Sequence, residues 1–178
     1  MKAKIFLPIL FMSTVLVACG QADSNEEASL KEKEVENIGE LVSDYSSNKS
    51  TKDTASITSQ ELIIKKSDGN ELAYDLSDED FFVSIAPYVN ETHPWTNHSL
   101  TGCQGELVEE EFDVFIEDME GNVIIDEKLK SQTNGFFDLW LPRDKTYRVK
   151  IEHDGKVSES EVSTFEDDGT CITTMQLI

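Results

Sequence analysis

The chain has few basic residues and, beyond its first 18 positions, no long apolar run. Its 178 residues include 15 Lys and Arg against 36 Asp and Glu, which gives a formal net charge of −21. Nucleic-acid phosphates would repel a chain this acidic, so nucleic-acid binding is excluded. No later stretch reaches the roughly 20 apolar residues that a membrane-spanning helix needs. The hydrophobic fraction of 38% still suffices for one core of ordinary domain size.

The sequence also contains no Ser-His-Asp arrangement, no Walker motif and no EF-hand spacing. Hydrolase activity and specific calcium binding are therefore without support. The acidic side chains would raise the local concentration of cations, but they do not select one cation over another.

The first residues are typical of a bacterial lipoprotein signal. Lys2 and Lys4 precede an apolar run that ends in Leu-Val-Ala-Cys, a lipobox whose cysteine is Cys19. Cleavage before Cys19 would leave 160 residues with 13 basic and 36 acidic side chains, a net charge of −23. We therefore expect residues 1–18 to be a signal peptide and Cys19 to carry palmitate or a similar acyl group. The protein would then lie outside the cytoplasm, anchored to a membrane through its lipid alone.

The segment after Cys19 predicts a tether followed by a helix. Residues 19–29 are small and polar, as in a flexible tether. Apolar residues spaced by three and four predict an amphipathic helix from Leu30 to Tyr45, with a capping box at its start formed by Ser29 and Glu32. Residues 46–58 are predicted to be a low-complexity linker.

From residue 59 the pattern becomes one of strands. The Asp68-Gly69 turn between two alternating segments predicts a β-hairpin. The other predicted strands are 81–85, 112–116, 123–126, 136–141, 146–152, 156–165 and 171–178. The predicted fold class is α+β and mainly β: residues 30–87 contain the helix and hairpin, and residues 88–178 form a prealbumin-like antiparallel β-sandwich or barrel-like module that carries the cysteines and histidines.

Once Cys19 is lipidated, Cys103 and Cys171 are the remaining thiols. They are 68 residues apart, and a disulfide between them would stabilise the fold by about 4 kcal/mol on the chain-entropy model. Outside the cytoplasm such a pair serves either as a structural disulfide or in redox or soft-metal chemistry.

Residues near both cysteines could extend a metal site. His93, Trp95 and His98 share an irregular loop with Cys103, and imidazole and thiolate are donors that copper and zinc prefer. The histidines could equally be ordinary loop residues that cap turns. Met175 would share a strand face with Cys171, and its thioether favours Cu(I). It could equally be an apolar core residue.

Four segments together resemble the CueP family of bacterial copper-binding proteins, with a similarity that runs from about residue 35 to the end. They are VSIAPYVNETHPW, HSLTGCQGEL, GFFDLWLPRDKTYRVKIEHDGK and FEDDGTCITTMQL. The resemblance implies an extracytoplasmic protein that binds copper through thiols, can reduce Cu(II) to Cu(I) and acts in copper resistance or delivery. It also implies a helical N-terminal part, a β-rich C-terminal part and homodimers. Cys103 and Cys171 match two family cysteines, whereas Trp95 stands where the family pattern has a third; the lipobox is a second departure.

We therefore predict a lipid-anchored extracytoplasmic protein that holds Cu(I) through Cys103 and Cys171. His98 is the expected third donor, with His93 and Met175 as further candidates. Any enzymatic activity would be at most a thiol-dependent reduction of Cu(II), and a copper-accepting protein is an expected partner. The alternative from another class is a structural or interaction β-sandwich lipoprotein stapled by a Cys103–Cys171 disulfide. A third hypothesis, a thiol–disulfide partner of another redox protein, predicts an exposed and easily reduced disulfide.

Overall fold

The computed structural model describes residues 37–47 and 52–178, and these form one helix and eleven strands. The elements are α1 (Ile38–Ser46), β1 (Thr54–Ile57), β2 (Glu61–Lys65), β3 (Glu71–Asp75), β4 (Phe81–Ile85), β5 (His98–Ser99), β6 (Glu111–Asp118), β7 (Val123–Lys130), β8 (Phe137–Leu141), β9 (Thr146–His153), β10 (Lys156–Ser163) and β11 (Cys171–Ile172). The predicted signal peptide, the tether and Cys19 lie outside the described residues. Within the described part, no helix is long and apolar enough to cross a membrane.

The strands form three sheets. The N-terminal sheet has the order β3-β2-β1-β5, the middle sheet β11-β4-β8 and the C-terminal sheet β10-β9-β6-β7. Neighbouring strands are antiparallel, except that β11 runs parallel to β4. The predicted class, mainly β with one short helix and antiparallel packed sheets, is confirmed.

The middle sheet separates two hydrophobic cores. Every residue of β4 is buried, and successive side chains on a strand point to opposite faces. Phe81, Val83 and Ile85 pack in the core shared with the C-terminal sheet. Phe82 packs in the second core, which contains residues of α1 and the N-terminal sheet. The side chain of Ser84 lies on the same face as Phe82 and so faces the N-terminal side.

The helix begins later than its apolar pattern predicts. Asn37 has an extended backbone with φ of −152°, and its side-chain oxygen accepts a hydrogen bond from the Glu40 amide at 3.0 Å. This is an N-cap arrangement, so the helix starts at Ile38. The prediction of one continuous helix from Leu30 to Tyr45 is wrong at Asn37, whose extended backbone is not helical; residues 30–36 lie outside the described residues. The predicted capping box lies outside the described residues.

Part of the predicted linker is a strand. β1 lies within residues 46–58 and occupies the interior of the N-terminal sheet, between β2 and β5. Ala55 and Ile57 are buried there. The segment has only four residues and two apolar side chains, which is too short for alternation to distinguish it from a polar linker.

The chain end is only briefly a strand. The predicted strand 171–178 has strand geometry only at Cys171–Ile172, followed by an isolated bridge between Tyr88 and Gln176. Burial still alternates from Cys171 to the end of the chain. Strands on both sides of the predicted 87/88 boundary pair with each other, since β4 lies between β8 and β11. A division into two units at that point stays a prediction.

Candidate metal centre

One row of residues across the middle sheet supplies the base of the site. Cys171 on β11 is in register with Ser84 on β4, and Ser84 is in register with Asp138 on β8. Residues in register on adjacent strands point to the same face. The row therefore places a thiol, a hydroxyl and a carboxylate side by side, on the face that looks towards the N-terminal sheet.

The short strand β5 brings His98 to this row. His98 is in register with Ile57 of β1. The His98 amide donates to the Thr170 hydroxyl at 2.9 Å, and that hydroxyl donates to the Ile57 carbonyl at 2.7 Å. Thr170, fully buried, directly precedes Cys171. This hydrogen-bonded link fixes β5 beside β11, and it brings His98 close to Cys171, which is 73 positions away in the sequence.

A tight turn brings Cys103 back towards His98. The amides of Gly102 and Cys103 both donate to the Ser99 carbonyl, at 3.2 and 3.0 Å. The Ser99 amide in turn donates to the Cys103 sulfur at 3.4 Å. The four-residue spacing between His98 and Cys103 looks loose in the sequence, but this turn closes it.

The three donors converge in the interior. The ligand atoms of His98, Cys103 and Cys171 all lie within 4.8 Å of one another. His98 is 0% exposed and each cysteine is 5% exposed, and both cysteines are free thiols. The Phe136 ring covers the imidazole with a centroid distance of 4.6 Å. Within the described residues, Nδ1 of His98 is buried and has no hydrogen-bond partner. An unsatisfied buried nitrogen beside two thiols is the chemistry of a soft-metal site.

The two thiols are electrostatically unequal. A hydrogen bond from Cys171 lowers the pKa of Cys103, and His98 and the Ser99 amide lower it further, while burial opposes the shift. The same hydrogen bond raises the pKa of Cys171, and burial adds to that increase. The arrangement therefore favours one thiolate, at Cys103, beside one thiol.

His93 lies at the edge of this centre. Its ring centroid is 6.3 Å from that of Phe136 and 6.1 Å from that of Trp95. Its Nε2 lies 2.8 Å from the Gln104 carbonyl oxygen, and its Nδ1 has no partner among the described residues. Trp95 is 62% exposed.

Met175 lies in a different environment from the cysteines. It is fully buried in the core between the middle and C-terminal sheets. Cys103 and Cys171 instead form a small apolar cluster with Ala86 and Phe136. The chain leaves strand geometry after Ile172, so the alternation that placed Met175 beside Cys171 does not persist along a straight strand.

Sequence reasoning missed the polar residues behind His98. Ser84 lies within the otherwise apolar strand Phe81–Ile85 and is 0% exposed. Asp138 occupies the corresponding inward position of Phe137–Leu141. A polar side chain in the middle of a buried strand was the available signal, because such groups require partners.

Comparisons with known proteins bear on the family and the fold of the chain. The model of the CueP family, described as periplasmic copper-binding protein CueP, matches residues 36–176. A crystal structure of S.CueP is similar with a TM-score of 0.74 and 34% sequence identity, over 80% of this chain and 89% of that chain. A search of the curated proteins finds no match.

Proposed function

Because the chain belongs to the CueP family of periplasmic copper-binding proteins, we propose that it handles copper outside the cytoplasm and holds Cu(I) between Cys103, Cys171 and His98. The observation that carries this proposal is the convergence of three buried donors within 4.8 Å. Nδ1 of His98, which is buried and has no hydrogen-bond partner among the described residues, supports it as the third donor.

The donor set fits Cu(I) better than it fits harder ions. Thiolates are soft ligands and imidazole is borderline, whereas Ca²⁺ and Mg²⁺ require oxygen donors. Copper binding would displace the remaining thiol proton from the pair, because thiolate is the ligating form. Cys103 and Cys171 pack in an apolar cluster with Ala86 and Phe136, a setting that would limit the access of water to bound Cu(I).

As an alternative to holding Cu(I), the same pair could reduce Cu(II). Each of two Cu(II) ions accepts one electron, the Cys103 thiolate and the Cys171 thiol together lose two electrons and the one remaining thiol proton, and the two sulfurs join in a disulfide. The oxidised pair no longer offers thiolates, so a further cycle requires an external thiol reductant. A pair this deeply buried is not the exposed disulfide that a thiol–disulfide partner of another protein would need.

Anchoring and partners complete the proposal. The lipobox supports a lipid on Cys19 and an extracytoplasmic, membrane-anchored location, and the excess of 36 acidic over 15 basic residues would attract cations to the protein. Family resemblance supports a homodimer and a copper-accepting protein. His93, at the edge of the centre, is the candidate for an outer ligand.

A Cu(I) competition titration of the reduced full-length protein tests the site. The variants are Cys103→Ser, Cys171→Ser and His98→Asn, each probed with a chromogenic Cu(I) chelator. We expect either cysteine substitution to lower the affinity at least 100-fold, because a hydroxyl is a poor ligand for Cu(I). The His98 substitution removes one of three donors, so we expect a loss of about 10-fold or more.

Met175→Leu is the matched control, because leucine fills a similar volume in the core. It should leave the Cu(I) affinity unchanged. A loss of affinity comparable to that of Cys171→Ser would instead identify Met175 as a sulfur ligand. If neither cysteine substitution alters the affinity, the thiolate site is wrong. A protein that resists reduction and binds no Cu(I) would instead support the disulfide-stapled lipoprotein.

A further inference from the structure

A chain of polar contacts runs from His98 into the middle sheet. Nε2 of His98 lies 3.3 Å from Oγ of Ser84. The Ser84 hydroxyl donates to Oδ1 of Asp138 at 2.6 Å. Oδ2 of Asp138 accepts a hydrogen bond from Nε2 of Gln132 at 3.0 Å. Both carboxylate oxygens therefore have donors, and the Ser84 hydroxyl lies between the carboxylate and the imidazole.

Counting protons along this chain identifies the form of the imidazole. Ser84 has a single hydroxyl proton, and it is directed to Asp138, so Ser84 Oγ can only accept from His98. Nε2 of His98 must then carry a proton. A neutral imidazole has one N–H group, so the proton-free nitrogen is Nδ1, and this is the buried atom without a partner among the described residues.

We propose that Ser84 and Asp138 are positioning residues that hold His98 as the Nε2–H tautomer and so make Nδ1 the nitrogen that binds copper. This inference rests on the proposed copper site and adds residues that do not themselves contact the metal. The sheet supports it directly, because Cys171, Ser84 and Asp138 are successive residues of one row. A metal ligand and the groups that orient another ligand are thereby fixed by the same three strands.

Groups that orient a metal-bound histidine typically change metal affinity by about 10–100-fold. Here the effect would come from tautomer and orientation. An imidazole already held with its lone pair free loses less entropy on binding copper, and no proton has to move between its two nitrogens. The ring contacts of Phe136 and Phe82, at 4.6 and 6.2 Å from the imidazole centroid, hold its plane.

The tautomer can be read without copper. Two-bond ¹H–¹⁵N correlation spectra of the reduced, metal-free, full-length protein distinguish the two neutral tautomers by the pattern of their ring cross-peaks. With three histidines in the chain, the His98 signals are those missing in His98→Asn. We expect the Nε2–H pattern for His98. An Nδ1–H pattern would overturn the positioning role, whatever the copper affinity proves to be.

Asp138→Asn tests the chain of contacts by reversing the direction of its hydrogen bonds. An amide NH₂ group can donate to Ser84, which frees the Ser84 hydroxyl to donate to Nε2 and favours the Nδ1–H tautomer. We expect a shift in the His98 pattern and a loss of Cu(I) affinity of about 10–100-fold. Asp126→Asn, at an exposed position of β7, removes the same charge and should change neither.

Ser84→Ala serves as a second variant if Asp138→Asn fails to fold. It should lower Cu(I) affinity and leave the His98 tautomer mixed. If a folded variant changes neither the tautomer nor the affinity, the inference is wrong. A wild type that binds no Cu(I) contradicts the proposed function, whereas an Nδ1–H pattern with normal Cu(I) binding contradicts only the positioning role.

Discussion

The two faces of strand β4 are equally buried but differ completely in chemistry. Val83 on one face and Ser84 on the other are both 0% exposed. The first lies among apolar side chains of the sandwich core, and the second lies between an imidazole and a carboxylate. Buried polar groups are costly unless they are paired. Of Ser84, Asp138 and His98, only Nδ1 of His98 lacks a partner among the described residues. This nitrogen is the one that the proposed copper site would use.

The largest effect that we expect is a loss of stability on substitution of Val83, on the apolar face of β4. Val83→Ala removes two buried methyl groups and leaves a cavity, so we expect the free energy of unfolding to fall by about 2 kcal/mol. The Cu(I) affinity of the folded protein should not change, because Val83 points away from the donors. Urea unfolding and the chelator competition assay measure the two quantities on the same sample.

The neighbouring Ser84→Ala is the matched change on the other face. It also lowers stability, because it leaves buried polar groups without their partner, but only this variant should weaken Cu(I) binding. If Val83→Ala weakened copper binding as strongly as Ser84→Ala, the two faces would not be functionally separate.

A smaller effect concerns the segment that leads to His93. The Glu106 carboxylate accepts hydrogen bonds from the amides of Val89, Asn90 and Glu91 at 2.6, 2.9 and 3.3 Å. Contacts with Asn90 above all lower the pKa of Glu106 from 4.5 to about 2. A carboxylate whose pKa is lowered in the folded state stabilises above its unfolded pKa, and this stabilisation is lost as pH falls.

We expect wild type to be more stable than Glu106→Gln above a pH of about 4.5, with the difference shrinking towards pH 2. Chemical unfolding at several pH values measures it. Glu127→Gln, at an exposed position of β7, controls for the lost charge. Its free energy of unfolding should change with pH in the same way as that of wild type. If the difference in unfolding free energy between wild type and Glu106→Gln did not change with pH, the Glu106 carboxylate would not hold this segment. Cu(I) affinity at neutral pH should be nearly unaffected, since the Glu106 carboxylate bonds to Val89, Asn90 and Glu91 and not to the donors.

Local patterns predicted most of the strands and singled out the candidate donors, but they did not indicate the polar residues behind His98. Alternation and turn residues identify elements of five or more residues, whereas β1 was missed because its four residues carry a weak pattern. Cys103, Cys171 and His98 were predicted because their side-chain chemistry is rare and the motifs around them are specific. Ser84 and Asp138 were missed because their contact depends on the pairing of β4 with β8, 54 positions apart.

Met175 shows that a local pattern can indicate burial and still place a side chain in the wrong core. Its alternation with Cys171 correctly indicated burial, since both residues are buried. The two side chains nevertheless belong to different clusters, because β11 ends at Ile172 and the following residues turn into the sandwich core. Periodicity predicts which side chains are buried, but tertiary packing decides which core receives them.

X-ray absorption spectroscopy of the reduced full-length protein loaded with one equivalent of Cu(I) tests the site most directly. The predicted spectrum contains two sulfur ligands and one imidazole nitrogen, and His98→Asn should lose the imidazole contribution while both sulfurs remain. A copper environment with three sulfurs, or with no sulfur, would contradict a site formed by His98, Cys103 and Cys171.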